Sequence, residues 1–202
     1  MQLDFLLAGV GGQGIVLAGD LLAEAALSIG LDVKKSDVFG MAQRGGSVTS
    51  AIRIAQKVYS PLPSVGQADY LLATEELEAA RNAVQLRPGG LAIVNEQRLL
   101  PLAVSSGKAA YPSTEEVRSA VAARAERLYW VPGEEMALAL GNRRVVNVIM
   151  IGFLSHFLPL PAEAWETAIT RRVPKRFLDL NREAFARGRG AAAEAARAPA
   201  GA

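Results

Sequence analysis

The stretch Gly9-Val10-Gly11-Gly12-Gln13-Gly14 constrains this chain more than any other part of it. It follows a short apolar run over residues 3–8 that only Asp4 interrupts. A run that apolar reads as a strand covered on both faces, as in parallel sheets. Residues 15–29 come next, where Val16, Ala23 and Leu27, and likewise Leu17 and Leu21, recur at helical spacing until Gly30 closes the segment. Buried strand, glycine turn and helix form the opening of a βαβ unit. Glycine lets a backbone turn tightly and approach a ligand, and the first N–H groups of a helix are free to meet an anion. The spacing of Gly9, Gly11 and Gly14 therefore predicts a phosphate or pyrophosphate site, or else a tight strand-to-helix crossing that binds nothing.

The rest of the chain extends the same pattern. Residues 31–36 read as the next strand. In residues 47–54, Val48, Ser50, Ile52 and Ile54 alternate with Thr49, Ala51 and Arg53, which predicts a strand with residues 57–59 as its hairpin partner. Residues 70–73, 91–94 and 128–131 supply further short strands, the second of them entered by a turn at Pro88-Gly89-Gly90. Thr74 is expected to cap a helix with Glu75 and Glu76 in its first turn, where the dipole favours them. Ser113 and Glu116 have capping-box spacing for a helix to about residue 126. Helices follow over residues 145–157 and from Pro161 and Pro174. The expected fold is α/β: a three-layer, Rossmann-like, mostly parallel sheet with helices on both faces and a helical C-terminal segment, in one domain over residues 1–187. Residues 188–202 lack large apolar side chains and are expected to form a mobile tail.

Composition removes whole classes of chemistry. The 202 residues include no cysteine, which excludes disulfides, a thiolate nucleophile and an iron–sulfur cluster held by thiolates of this chain. The single histidine, His156, argues against an imidazole-rich metal site. A formal charge of +2, from 22 basic and 20 acidic residues, gives no case for a nucleic-acid or membrane-surface partner. Met1-Gln2-Leu3-Asp4 lacks the basic start of a signal peptide, and the longest apolar stretch, residues 145–160, is interrupted by Asn147, Ser155 and His156. The expectation is a soluble, cytoplasmic protein.

A nicotinamide site wants an acid near the end of the second strand to hold the ribose. Asp32 comes too early for that, and Asp37 comes late, behind Lys34 and Lys35. A second glycine-rich segment, Phe39-Gly40-Met41-Ala42-Gln43-Arg44-Gly45-Gly46-Ser47, places a cation on a flexible turn with hydrogen-bonding Gln43 and Ser47 beside it. Such a set can grip a carboxylate or phosphate through charge-assisted hydrogen bonds. It shares a sheet edge with the first turn if the first two strands run parallel; the alternative is a surface turn with a solvated Arg44. His156 reads as structural before catalytic, Asn142 as a helix cap, and Trp165 as a packing residue. Arg171 to Arg176 read as a solvated face, with an acidic partner surface as the second choice. No nucleophile–base pair, carboxylate dyad or metal-ligand cluster stands out. The chain reads as one that binds and positions something whose reactive centre lies elsewhere.

The two glycine motifs together, with Tyr59-Ser60-Pro61, Ala68-Asp69, Glu75-x-x-Glu78-Ala79, Pro88-Gly89-Gly90, Gly141-Asn142-x-x-Val145-Val146-Asn147, Glu163-Ala164-Trp165 and Val173-Pro174-x-x-Phe177, give a resemblance that runs to about Phe185. The chain resembles the gamma-type subunits of the 2-oxoacid:ferredoxin oxidoreductases, and the Met41-Ala42-Gln43-Arg44-Gly45-Gly46 wording points to their indolepyruvate branch. The resemblance implies oxidative decarboxylation of a 2-oxo acid, an aryl pyruvate in that branch, to an acyl-CoA and carbon dioxide, with electrons passed to ferredoxin. It implies thiamine diphosphate and iron–sulfur clusters on a large alpha subunit, and coenzyme A as co-substrate. For this chain it implies positioning without a catalytic residue. Gly11, Gly12, Gln13 and Gly14, with Gln43, Arg44, Gly45, Gly46 and Ser47, would hold phosphates of coenzyme A or the substrate carboxylate. The competing expectation is a free-standing Rossmann-type NAD- or flavin-binding oxidoreductase.

Overall fold

A computed structural model describes residues 2–40 and 45–197. Its centre is a six-stranded sheet in the order β2-β3-β1-β4-β5-β6. The strands are β1 (Gln2–Val10), β2 (Asp32–Phe39), β3 (Ser47–Ala55), β4 (Ala68–Ala73), β5 (Leu86–Asn95) and β6 (Ala125–Val131). The pairs β1–β4, β4–β5 and β5–β6 are parallel, whereas β3 is antiparallel to both β1 and β2. The helices are α1 (Ile15–Ser28), α2 (Glu76–Asn82), α3 (Leu102–Ser105), α4 (Thr114–Ala122), α5 (Gly133–Ala139), α6 (Val146–Ser155), α7 (Ala162–Arg172) and α8 (Leu178–Ala195).

The apolar run of β1 after Asp4 follows from its place between two layers. Phe5 and Leu7 point into the core under α1, α6, α7 and α8, and Leu6 and Ala8 point into a second core under α2 and α4. Both faces of the strand meet buried apolar side chains, so alternation by polarity has no place there. β3 keeps the expected alternation: Val48, Ile52 and Ile54 join the first core and Ala51 the second. These features place the chain in the expected α/β, three-layer, mostly parallel class. No helix of the described residues is long and apolar enough to cross a membrane.

Several expected boundaries move. Residues 57–59 do not pair with β3, whose partners are β1 and β2. The Val58 N–H instead donates to the Asp32 carboxylate at 2.9 Å, and the prolines that follow leave no strand to extend. Glu75, not Thr74, caps α2, its carboxylate accepting from the Glu78 N–H. The capping box at Ser113 forms, but α4 ends at Ala122 because β6 begins at Ala125. Pro88-Gly89-Gly90 lies inside β5, at a register shift, rather than before it. The largest correction concerns the first part of the expected tail: α8 continues through Gly188 to Ala195, with Gly188 and Ala192 buried, while residues 198–202 lie outside the described residues. Small residues there serve close packing on α6, which a count of large apolar residues cannot register.

Candidate functional site

Both glycine turns lie at one edge of the sheet. β1 and β2 run in the same direction because each is antiparallel to β3, so the turn after β1 and the turn joining β2 to β3 meet where the parallel strands end. They touch directly, the Gly11 N–H donating to the Gly46 carbonyl at 2.8 Å, while the Gly40 N–H closes the second turn on itself by donating to the Ser47 carbonyl at 2.7 Å. Between them runs a groove of about 580 Å³, lined by Gly11, Gly12, Gly14, Ile15, Val16 and Phe39 among others. Gln43 and Arg44, two of the expected site residues, lie outside the described residues.

The start of α1 opens into this groove. Gly14 is its N-cap in a left-handed conformation, with φ +77°, and no side chain caps the first turn. The first N–H groups of α1 are therefore oriented for an anion, with the helix dipole behind them. Gly14 meets a second requirement. A Cβ there would come within 2.4 Å of Asn147 Nδ2, which donates to the Gly14 carbonyl at 3.1 Å. Gly9 answers a packing need, since a Cβ would lie 2.1 Å from Thr74 Oγ1.

Two expected ligand groups are already committed to the protein. Gln13 Oε1 accepts from the Val10 N–H and from Thr74 Oγ1, each at 2.7 Å, and its Nε2 donates to the Thr74 carbonyl at 3.1 Å and to Gln97 Oε1 at 2.7 Å. Gln97 in turn donates to Glu134, which pairs with Arg143 at 2.9 Å. Gln13 is thus the knot that ties the first turn to β4, β5 and α5. The Ser47 hydroxyl donates to Glu78 Oε2 at 2.5 Å and has no hydrogen left for a phosphate oxygen. Of the loop N–H groups, Gly11 serves Gly46, and Gln13 serves the Val10 carbonyl at 3.0 Å. The N–H groups of Gly12, Gly14 and the first turn of α1 remain for a ligand among the described residues.

Sequence reasoning missed the supports of this edge. Thr74, Gln97, Asn147 and Glu78 hold the turns through contacts far apart in sequence; Thr74 reads locally only as a cap, and Glu78 and Asn147 enter only through the resemblance. Glu75 is buried beside them and accepts from the Leu99 N–H at 3.0 Å and from the Tyr111 hydroxyl at 2.6 Å. Burial, and then that carboxylate, push the Tyr111 phenol well above its ordinary value. Burial also raises the Glu76 carboxyl, against the pull of Arg98.

The remaining candidates fall into structural places. β3 separates β1 from β2, and Asp37 pairs with Lys35 at 3.1 Å, so neither Asp32 nor Asp37 lies on a strand beside β1 to take a nicotinamide ribose. His156 caps the end of α6, edge-on to Phe157. Asn142 caps the short 3₁₀ turn Arg143–Val145. Trp165 is buried against Phe185. Arg171 and Arg172 are not merely solvated, since both pair with Glu24 of α1, at 2.8 and 3.1 Å. The described residues contain no group of histidine, aspartate and glutamate placed to hold a metal ion.

The family model described as pyruvate ferredoxin/flavodoxin oxidoreductase matches residues 4–191. Indolepyruvate oxidoreductase subunit IorB of Pyrococcus horikoshii is 38% identical over 96% of this chain and 97% of its own length. The subunit of the same name from Archaeoglobus fulgidus is 35% identical over 93% and 94%. Among solved structures, the keto/oxoacid ferredoxin oxidoreductase gamma subunit from Geobacter sulfurreducens PCA superposes with a TM-score of 0.74 at 26% identity, covering 96% of this chain and 98% of that one. The chain therefore belongs to the pyruvate ferredoxin/flavodoxin oxidoreductase family, as a subunit of a 2-oxoacid:ferredoxin oxidoreductase.

Proposed function

We propose that this chain is the cluster-free subunit of a cytoplasmic, thiamine-dependent indolepyruvate (aryl pyruvate):ferredoxin oxidoreductase, and that its groove positions coenzyme A or the 2-oxo acid. The identity to subunits named for indolepyruvate supports the substrate class. Without cysteine, the chain does not fit an iron–sulfur cluster. Clusters and thiamine diphosphate are assigned to the large alpha subunit, where they supply decarboxylation chemistry and the electron path to ferredoxin.

The positioning role rests chiefly on the uncapped start of α1 facing the second glycine turn across the groove. N–H groups of Gly12, Gly14 and the first turn of α1 hold the anionic oxygens of a phosphate or carboxylate. Arg44, which in sequence lies between β2 and β3, adds a forked, charge-assisted grip. Val10, Ile15, Val16 and Phe39 give the groove an apolar wall, which removes water from those contacts and strengthens them. The chain orients the reactant and moves no proton, so its contribution is to proximity and binding.

Replacing Arg44 by Ala in the assembled enzyme tests this directly. The KM for coenzyme A, or that for the 2-oxo acid, is expected to rise by roughly tenfold or more, with kcat little changed, because a charge-assisted contact is lost from bound reactant and transition state alike. Wild-type values for both constants would contradict the assignment.

A further inference from the structure

We infer that Glu78 is a positioning residue for the groove, locking the second glycine turn against the first through Ser47. The inference rests on the proposed ligand role of that groove and names what holds its two walls in register.

Glu78 sits on α2 with its side chain only 3% exposed. Burying a carboxylate is costly unless both oxygens find partners. Here Oε1 accepts from Arg81 Nη1 at 2.7 Å, and Oε2 accepts from the Ser47 hydroxyl at 2.5 Å. Helix capping does not explain the residue, since Glu75 caps α2. Ser47 opens β3 directly after Gly45-Gly46, and the Gly46 carbonyl takes the Gly11 N–H. Glu78, Ser47, Gly46 and Gly11 thus form one continuous path from a rigid helix through both turns.

Two consecutive glycines carry large backbone freedom, and a ligand that had to freeze them would lose affinity to that entropy. An anchor beside them pre-pays the ordering in the free protein. Because the Ser47 hydroxyl gives its hydrogen to Glu78, its influence on an anionic ligand passes through this anchor and not through a direct donation. The two residues therefore act as a unit, and removing one leaves little for the other to lose.

The test is steady-state kinetics of the assembled two-subunit enzyme carrying Glu78→Ala, Ser47→Ala, the double substitution, Glu78→Gln or Arg44→Ala. Glu78→Ala and Ser47→Ala are each expected to raise by roughly three- to tenfold the same KM that Arg44→Ala raises, with kcat within about twofold of wild type. The double variant should be no worse than Glu78→Ala, and Glu78→Gln, which keeps an acceptor for the hydroxyl, should restore most of the affinity. The inference is overturned if Arg44→Ala raises a KM that Ser47→Ala and Glu78→Ala leave unchanged, or if the single effects multiply in the double variant. Should Glu78→Ala fail to assemble, Ser47→Ala alone decides, since it removes the same hydrogen bond. If Arg44→Ala moves neither constant, the ligand role of the groove fails, and that failure is distinguishable from a failure of the anchor.

Discussion

Gly14 meets two demands that no other residue satisfies together. Its φ of +77° is strained for any side chain, and a Cβ would strike the Asn147 amide that holds its carbonyl. Gly14→Ala is expected to cost about 1–3 kcal/mol of stability. Asn147→Ala should cost nearer about 1 kcal/mol, because it removes a hydrogen bond without adding strain. Denaturant unfolding of the two variants checks the order, and a Gly14→Ala chain as stable as wild type would show that the loop can relax around a methyl group. The spacing of Gly9, Gly11 and Gly14 was legible in the sequence because a tight turn needs glycine wherever it occurs. The fate of the loop's polar groups was not. Gln13 is taken up by Thr74, 61 residues away, and by Gln97, 84 residues away, and no local pattern announces a partner at such distance.

Glycine also governs the pairing of α6 with α8. A Cβ on Gly188 would lie 2.0 Å from the Ile149 carbonyl oxygen, and one on Gly152 would lie 2.3 Å from that of Phe185. Both obstacles are backbone, so neither helix can yield by turning a side chain. Gly188→Ala is expected to destabilise the protein by about 1–3 kcal/mol, the usual range for overpacking, although alanine is the better helix former. A thermal melt that rises on this substitution would place the helices farther apart. The same residue explains the misjudged tail: a Gly, Ala and Arg sequence reads as unable to bury anything, yet smallness is what this crossing requires. β3 teaches a parallel lesson. Its alternation marked it as a strand, but the pattern of one strand does not name its neighbours, and its place between β2 and β1 emerged only from the sheet. On α2, burial raises the Glu76 carboxyl, so its ionised form opposes folding. Glu76→Gln should therefore raise Tm at neutral pH, with the gain shrinking as pH falls below the ordinary carboxylate range and wild type protonates. A pH-independent difference would point to a cause other than charge.

At the scale of the whole molecule, acid pairs opposite in sign to Glu76 join distant elements. The Arg171 guanidinium, with Arg172, lowers the Glu24 carboxyl and ties α1 to α7, and Arg182 lowers Glu166 between α8 and α7. The Lys34 ammonium, then the Val58 N–H, pull Asp32 down to about 2. Each folded value lies below the unfolded one, so this stability is present above the ordinary carboxylate range and is lost as pH falls through the folded values, toward about 2 for Asp32. Tm is expected to fall through that window, and Asp32→Asn should flatten its most acidic part; superimposable wild-type and variant profiles would remove Asp32 from the cause. The absence of cysteine, visible in the sequence from the start, has the widest consequence: whatever electrons pass in this enzyme, no thiolate of this chain holds their carrier. The most direct measurement is ferredoxin reduction by the purified full-length chain, given an aryl pyruvate, coenzyme A and thiamine diphosphate, with and without the large subunit. Turnover is expected only when the large subunit is added, with all iron accounted for on that subunit; ferredoxin reduction by the chain alone would contradict a role confined to positioning.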